Sequence, residues 1–124
     1  LDSSREQDHL YRGGERVNKF NAKRVINEEG IFASQKEYKR WMELKILERS
    51  GEITALKKQV PYVLIAKSDK FERCRYIADF EYRDKNGNIV VEDAKGCKTG
   101  ASYEIFKIKK KLMYAVHNIE VLEV

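Results

Sequence analysis

A chain of 124 residues, 36% charged and 42% hydrophobic with a single proline, has room for one core and is too apolar to stay disordered. Its 25 basic side chains outweigh 20 acidic ones, and the net charge of +5 favours an anionic partner without naming it. No apolar run approaches the length of a membrane span and no signal peptide opens the chain, so no membrane is expected as a partner and the cytoplasm is the expected compartment.

Residues 1–18 are polar and glycine-bearing and read as a loose tail or arm, ahead of a single domain over residues 19–124. RVI and IFA flank NEEG, which predicts a small hairpin across residues 24–33. Ser34 and Gly51 then bracket a helix over residues 35–49, with Ser34 as N-cap and Gly51 as stop. QVPYVLIA, residues 59–66, is a short apolar run around a proline and reads as a strand. In RCRYIADFEYR, residues 73–83, Tyr76, Ala78, Phe80 and Tyr82 alternate with Ile77, Asp79, Glu81 and Arg83, the period of a strand. DKNG follows, then a strand in NIVVEDAKG; Ser102 is the expected cap of a second helix, YEIFKIKKKLMYAVH, and IEVLEV closes the chain as a last strand. The expected fold is α/β: an α-β-β-β-α-β core with a mixed central sheet flanked by helices.

The DKNG turn decides which side chains meet. A two-residue Asn86-Gly87 turn pairs Lys85 with Asn88 and puts Asp79 and Asp93 on opposite sides of the sheet. A three-residue Lys85-Asn86-Gly87 loop pairs Asp84 with Asn88, sets Asp79 opposite Asp93, and sets Ile77 opposite Lys95. Asp at the first position and Gly at the fourth suit a type I turn closed by a left-handed glycine, which favours the longer loop. Asp79, Asp93 and Lys95 then share one face, and Tyr76, Ala78, Phe80 and Tyr82 share the other with Val90 and Ala94. Two acids held together repel unless a positive charge joins them, and a hard divalent cation suits carboxylate oxygens. Such a cation activates water and stabilises charge on a phosphoryl oxygen. The plainer reading is a surface Asp–Lys pair beside a second aspartate near a turn.

Glu37 fits a capping box with Ser34, yet on a helical wheel it shares a stripe with Trp41, Leu44 and Glu48 that is expected to face the sheet. Trp41 reads as core and Glu48 as exposed at the helix end. In the second helix Ile105, Ile108, Leu112, Met113 and Val116 define the expected apolar side. Lys109 falls within it, either snorkelling outward or reaching over the sheet toward an anion near the acids. Lys107, Lys110 and Lys111 line the other face with Tyr114, as solvated lysines or as followers of a phosphate backbone. Cys74 and Cys97 form no CxxC pair, lack a histidine at zinc spacing, and are expected to be free thiols in a reducing compartment. His9 in the tail and His117 at a helix end are isolated, and no metal role is expected for either.

With these residues in place the chain resembles the PD-(D/E)xK nuclease superfamily, through a helix glutamate, the aspartate of IAD and the DAK of the next strand. More narrowly, IFASQKE, ELKILERSGEI, QVPYVLI, YIADFEY and VVEDAKGCKT resemble a family of small phage-encoded proteins long described as a domain of unknown function, over residues 19–124. The resemblance implies a restriction-endonuclease-like core and a metal-dependent DNA endonuclease. By position Asp79 and Asp93 would bind Mg²⁺, with Mn²⁺ as a substitute; Glu37 would complete the site, Lys95 would be the motif lysine and Lys109 an auxiliary phosphate contact. Ala78 stands where the superfamily pattern has proline. Glu92 is an alternative motif acid, but alternation puts Asp93, not Glu92, on the face of Lys95. The superfamily includes junction resolvases, so branched DNA cut by a homodimer is one expectation, and nonspecific nicking of duplex DNA is another. A noncatalytic DNA-binding module on the same scaffold, within a phage replication, recombination or packaging complex, is the alternative from another class. Nothing in the sequence reads bases: no zinc finger and no recognition helix stand out.

Overall fold

The computed structural model describes residues 11–12, 15–17 and 23–124. The chain gathers into two compact units, Leu1–Met42 and Glu43–Val124. The tail expected over residues 1–18, with His9, lies largely outside the described residues. Within it Tyr11–Arg12 (β1) and Glu15–Val17 (β2) pair antiparallel.

In the first unit β2 pairs with β3 (Lys23–Asn27) and β3 with β4 (Gly30–Phe32), in the sheet order β1-β2-β3-β4. The expected hairpin is β3 and β4. Its turn is held by the Asn27 side-chain oxygen, which accepts from the Glu29 N–H at 2.8 Å. Val25 pairs with Phe32, and both are buried. The Phe32 ring meets Tyr38 edge-on at 5.2 Å between centroids. Helix α1 (Gln35–Arg49) has the expected bounds. Ser34 Oγ accepts from the Glu37 N–H at 3.1 Å, and Gly51 turns the chain out at φ +86°.

The second unit holds a mixed sheet in the order β5-β6-β7-β8. Strands β5 (Thr54–Ile65), β6 (Cys74–Arg83) and β7 (Ile89–Asp93) are antiparallel neighbours, and β8 (Leu122–Glu123) runs parallel to β7. A parallel neighbour needs a crossover, and α2 (Ala101–His117) supplies it. The order after the hairpin is therefore α-β-β-β-α-β, as expected.

Three details depart from the sequence reading. β5 begins at Thr54, five residues before the expected start at 59, because Glu48 Oε2 accepts from the Leu56 N–H at 3.0 Å and carries a polar stretch into the sheet. As an edge strand β5 also tolerates Lys57, Lys58 and Pro61. Second, the N-cap of α2 is Gly100, not Ser102, which lies inside the first turn. Third, α2 buries only part of the expected apolar side. Met113 is buried and Leu112 packs against the core, as expected, but Ile105, Ile108 and Val116 are more than half exposed and Phe106 is buried instead. Phe106 and Met113 face inward, with Tyr103 and Lys110 half-buried beside them and exposed His117 following at the same helical spacing. The polar tips explain the choice: Tyr103 and Lys110 each reach Glu123 at 2.9 Å, and His117 Nε2 lies 2.8 Å from the Val63 carbonyl oxygen. Such bonds would be lost if the aliphatic stripe turned in. The core between sheet and helix is Leu64, Tyr76, Ala78, Val91, Phe106, Met113 and Val121.

Candidate functional site

The turn between β6 and β7 takes the three-residue form. Asp84 donates its N–H to the Asn88 carbonyl and accepts from the Gly87 N–H, both at 3.0 Å. The Asp84 side-chain oxygen accepts from the N–H groups of Asn86 and Asn88, both at 2.9 Å. Gly87 stands at φ +83°, a conformation glycine adopts without strain. The register runs from Arg83↔Ile89 to Phe80↔Glu92, and one further step sets Asp79 opposite Asp93. There Asp79 Oδ2 accepts from the Ala94 N–H at 2.8 Å.

Asp93 is the best-buried of this group, at 4% exposure. Its Oδ1 lies 3.0 Å from the Lys95 ammonium, and its Oδ2 accepts from the Tyr76 hydroxyl at 2.6 Å. The Lys95 ammonium also sits over the Phe106 ring, 4.1 Å from the centroid. Burial, and then the charge of Asp93 and of Asp79 beyond it, push the Tyr76 hydroxyl well above the usual tyrosine range, so it stays a donor. The cluster is thus two aspartates, a lysine and a tyrosine at the point where β7 leaves β6.

Alternation had put Tyr76 on the far side of the sheet from Asp93, and this is corrected. β6–β7 pairing stops at Phe80↔Glu92. β6 keeps its alternation, with Tyr76, Ala78, Phe80 and Tyr82 all buried. The departure is in β7, where Val91, Glu92 and Asp93 are buried in succession at the end of the strand, so strict period two does not carry to Asp93. Tyr76 was read only as part of an apolar face. The available signal was a hydroxyl on a face that had to be buried, which needs a partner.

Glu92 is also buried but belongs elsewhere: its Oε2 accepts from the Tyr82 hydroxyl at 2.5 Å. Lys95 therefore pairs with Asp93 and not with its neighbour. Lys109 is half-buried on α2 and makes no ion pair with a described residue, so it stays outside the cluster. In the first unit Glu37 is 4% exposed, and its Oε1 accepts from the Ala33 N–H at 2.8 Å, the reciprocal half of the cap. Trp41 donates from Nε1 to Glu29 at 3.1 Å, and Glu48 is exposed.

Among the described residues no three His, Cys, Asp or Glu side chains are grouped as a ready metal cage. The donor chemistry of Asp79 and Asp93 nevertheless fits a hard divalent cation, since both offer carboxylate oxygens on neighbouring strands. Cys74 is half-buried and Cys97 exposed, both as free thiols, as expected. No helix among the described residues is long and apolar enough to cross a membrane.

A four-stranded mixed sheet crossed by one helix, with an acid–acid–lysine set beside a tight hairpin, defines a small α/β protein. The chain belongs to the family described as "Protein of unknown function (DUF1064)", whose profile matches residues 17–122. Neither the curated proteins nor the solved structures contain a match to it.

Proposed function

We propose that this protein is a Mg²⁺-dependent DNA endonuclease that hydrolyses phosphodiester bonds. The observation that carries the reading is Asp93: a buried carboxylate facing Lys95 at 3.0 Å, with Asp79 opposite it across the hairpin. Resemblance to the PD-(D/E)xK superfamily supports the same assignment. Asp79 and Asp93 would hold the cation, which supplies charge stabilisation at a phosphoryl oxygen and acidifies water. Tyr76 keeps the Asp93 carboxylate turned toward Lys95. Lys95 orients the attacking water or neutralises charge on the scissile phosphate. Glu37 is proposed as the helix acid of the site and Lys109 as an auxiliary phosphate contact. The substrate would be duplex or branched DNA in a bacterial cytoplasm. Symmetric cutting of a junction would require a homodimer. A phage origin belongs to the same proposal.

One observation favours a second reading, a noncatalytic DNA-binding module. Both oxygens of Asp93 already have donors, and Lys95 already has its partner. Cleavage of labelled duplex and four-way-junction DNA in Mg²⁺, Mn²⁺ or EDTA, beside Asp93→Ala and Asp93→Asn, separates the two. The nuclease reading expects metal-dependent cutting that both variants abolish while DNA binding persists. Lys95→Ala should lower the rate by about 10²–10³-fold. Binding without cutting in every protein would leave the module.

A further inference from the structure

Between α2 and the chain at β8 lies a groove that the nuclease reading does not use. It has a volume of about 490 Å³ and is lined by Lys107, Lys110, Lys111, Tyr114, Glu120 and Glu123. Glu123 is the Cα partner of Asp93 in the parallel β7–β8 pair, so the groove starts one strand away from the acid–lysine cluster.

Its charges are sorted by depth. At the floor, Lys110 holds the Glu123 carboxylate below the usual range, with Tyr103 and Lys98 adding to the effect, so this acid stays ionised and neutralised. At the rim, Lys107 lies over the Tyr103 ring, 5.5 Å from its centroid, and pairs with exposed Glu104 at 3.2 Å, a pair that water screens strongly. Lys111 has no acidic partner among the described residues, and Tyr114 is 60% exposed. Helical spacing sets Lys107, Lys111 and Tyr114 side by side, at i, i+4 and i+7. Two lysine cations in line with an exposed aromatic side chain suit a ligand that carries both anions and flat rings, as a nucleic-acid strand does.

We propose that this groove binds a single strand of DNA, with a base stacked on Tyr114 and phosphates on Lys111 and Lys107 along the same helix face. The inference rests on reading the protein as one that acts on DNA. It adds that a strand is held open along α2 next to the place of cutting, so that DNA with an unpaired segment is the preferred substrate class.

The test is fluorescence anisotropy of labelled oligothymidylate in EDTA, over a range of salt concentrations. Tyr114→Ala should weaken binding about five- to a hundredfold. Lys107→Ala/Lys111→Ala should lower the slope of log affinity against log salt by about 1.4. Glu120→Lys should tighten binding, a gain that damage to the fold does not produce. Wild-type affinity in Tyr114→Ala, together with an unchanged slope in the lysine pair, would overturn the groove. Because EDTA removes cleavage from the measurement, the two readings fail separately. A groove that fails in a protein that still cuts DNA overturns this inference alone. Groove binding in a protein that never cuts leaves it standing and removes the nuclease.

Discussion

Tyr76 shows how a single hydroxyl organises the cluster. It is 4% exposed and gives its hydrogen bond to a carboxylate with the same burial. Tyr76→Phe leaves one Asp93 oxygen without its donor and should cost about 1–3 kcal/mol, read from the urea midpoint. Because the folded hydroxyl is held above its ordinary value of 10.0, its contribution is full below that pH and is lost as pH rises beyond it. Wild-type stability should therefore fall more steeply than that of Tyr76→Phe in alkaline solution. Cys97 makes the opposite case at the surface. Its hydrogen bonds with Thr99 lower the thiol below its usual range. Iodoacetamide near neutral pH should label Cys97 before Cys74, and Thr99→Val should slow that labelling. From sequence, Asp79, Asp93 and Lys95 were legible as a set because the turn chemistry alone chose the register. Tyr76 was not, because its bond to Asp93 depends on β7 burying Glu92 and Asp93 in succession where pairing with β6 ends, which alternation does not announce.

Among the elements, the β6–β7 hairpin and α2 carry the site. Asp84 ties two N–H groups of the loop, so Asp84→Ala should loosen the turn by about 1–2 kcal/mol and lower any cleavage with it. Gly87→Ala meets no atom within 4 Å, so its cost of about 1 kcal/mol is backbone strain alone. α2 is clamped to β8 through Glu123, which takes Tyr103 and Lys110 together. A carboxyl held below its ordinary value stabilises the fold above the usual carboxylate range and loses that effect as pH falls through its folded value. Thermal melts in mild acid should show a steeper loss for wild type than for Glu123→Gln. The helix and its end at His117 were legible from 3.6-residue periodicity, but its cap was not, and its inward face only in part, through Leu112 and Met113. Aliphatic residues suggested one stripe, and three polar tips with acceptors on the sheet selected another.

At the scale of the molecule, the excess of lysine and arginine is the property that any nucleic-acid reading draws on. DNA binding by the intact chain should weaken steeply as salt rises, and should do so in EDTA as well as in Mg²⁺. The order of elements and the mixed sheet follow from patterns visible in the chain. Two features needed the third dimension. The parallel return of β8 beside β7 rests on only two residues, Leu122 and Glu123, and the sheet of the first unit draws on strands as short as Tyr11–Arg12. Segments of that length carry no periodicity, and neighbouring chain decides their state.

The edge strand β5 has a practical consequence. Its length of 12 residues would make a straight, open edge an invitation to other chains. Pro61 withdraws one amide from that edge, while Ala55 and Gln59, both at positive φ, break its line. A concentrated solution of this protein should therefore stay clear, and Pro61→Val together with Gln59→Val should make it cloud on standing, as β-rich aggregates that bind amyloid dyes.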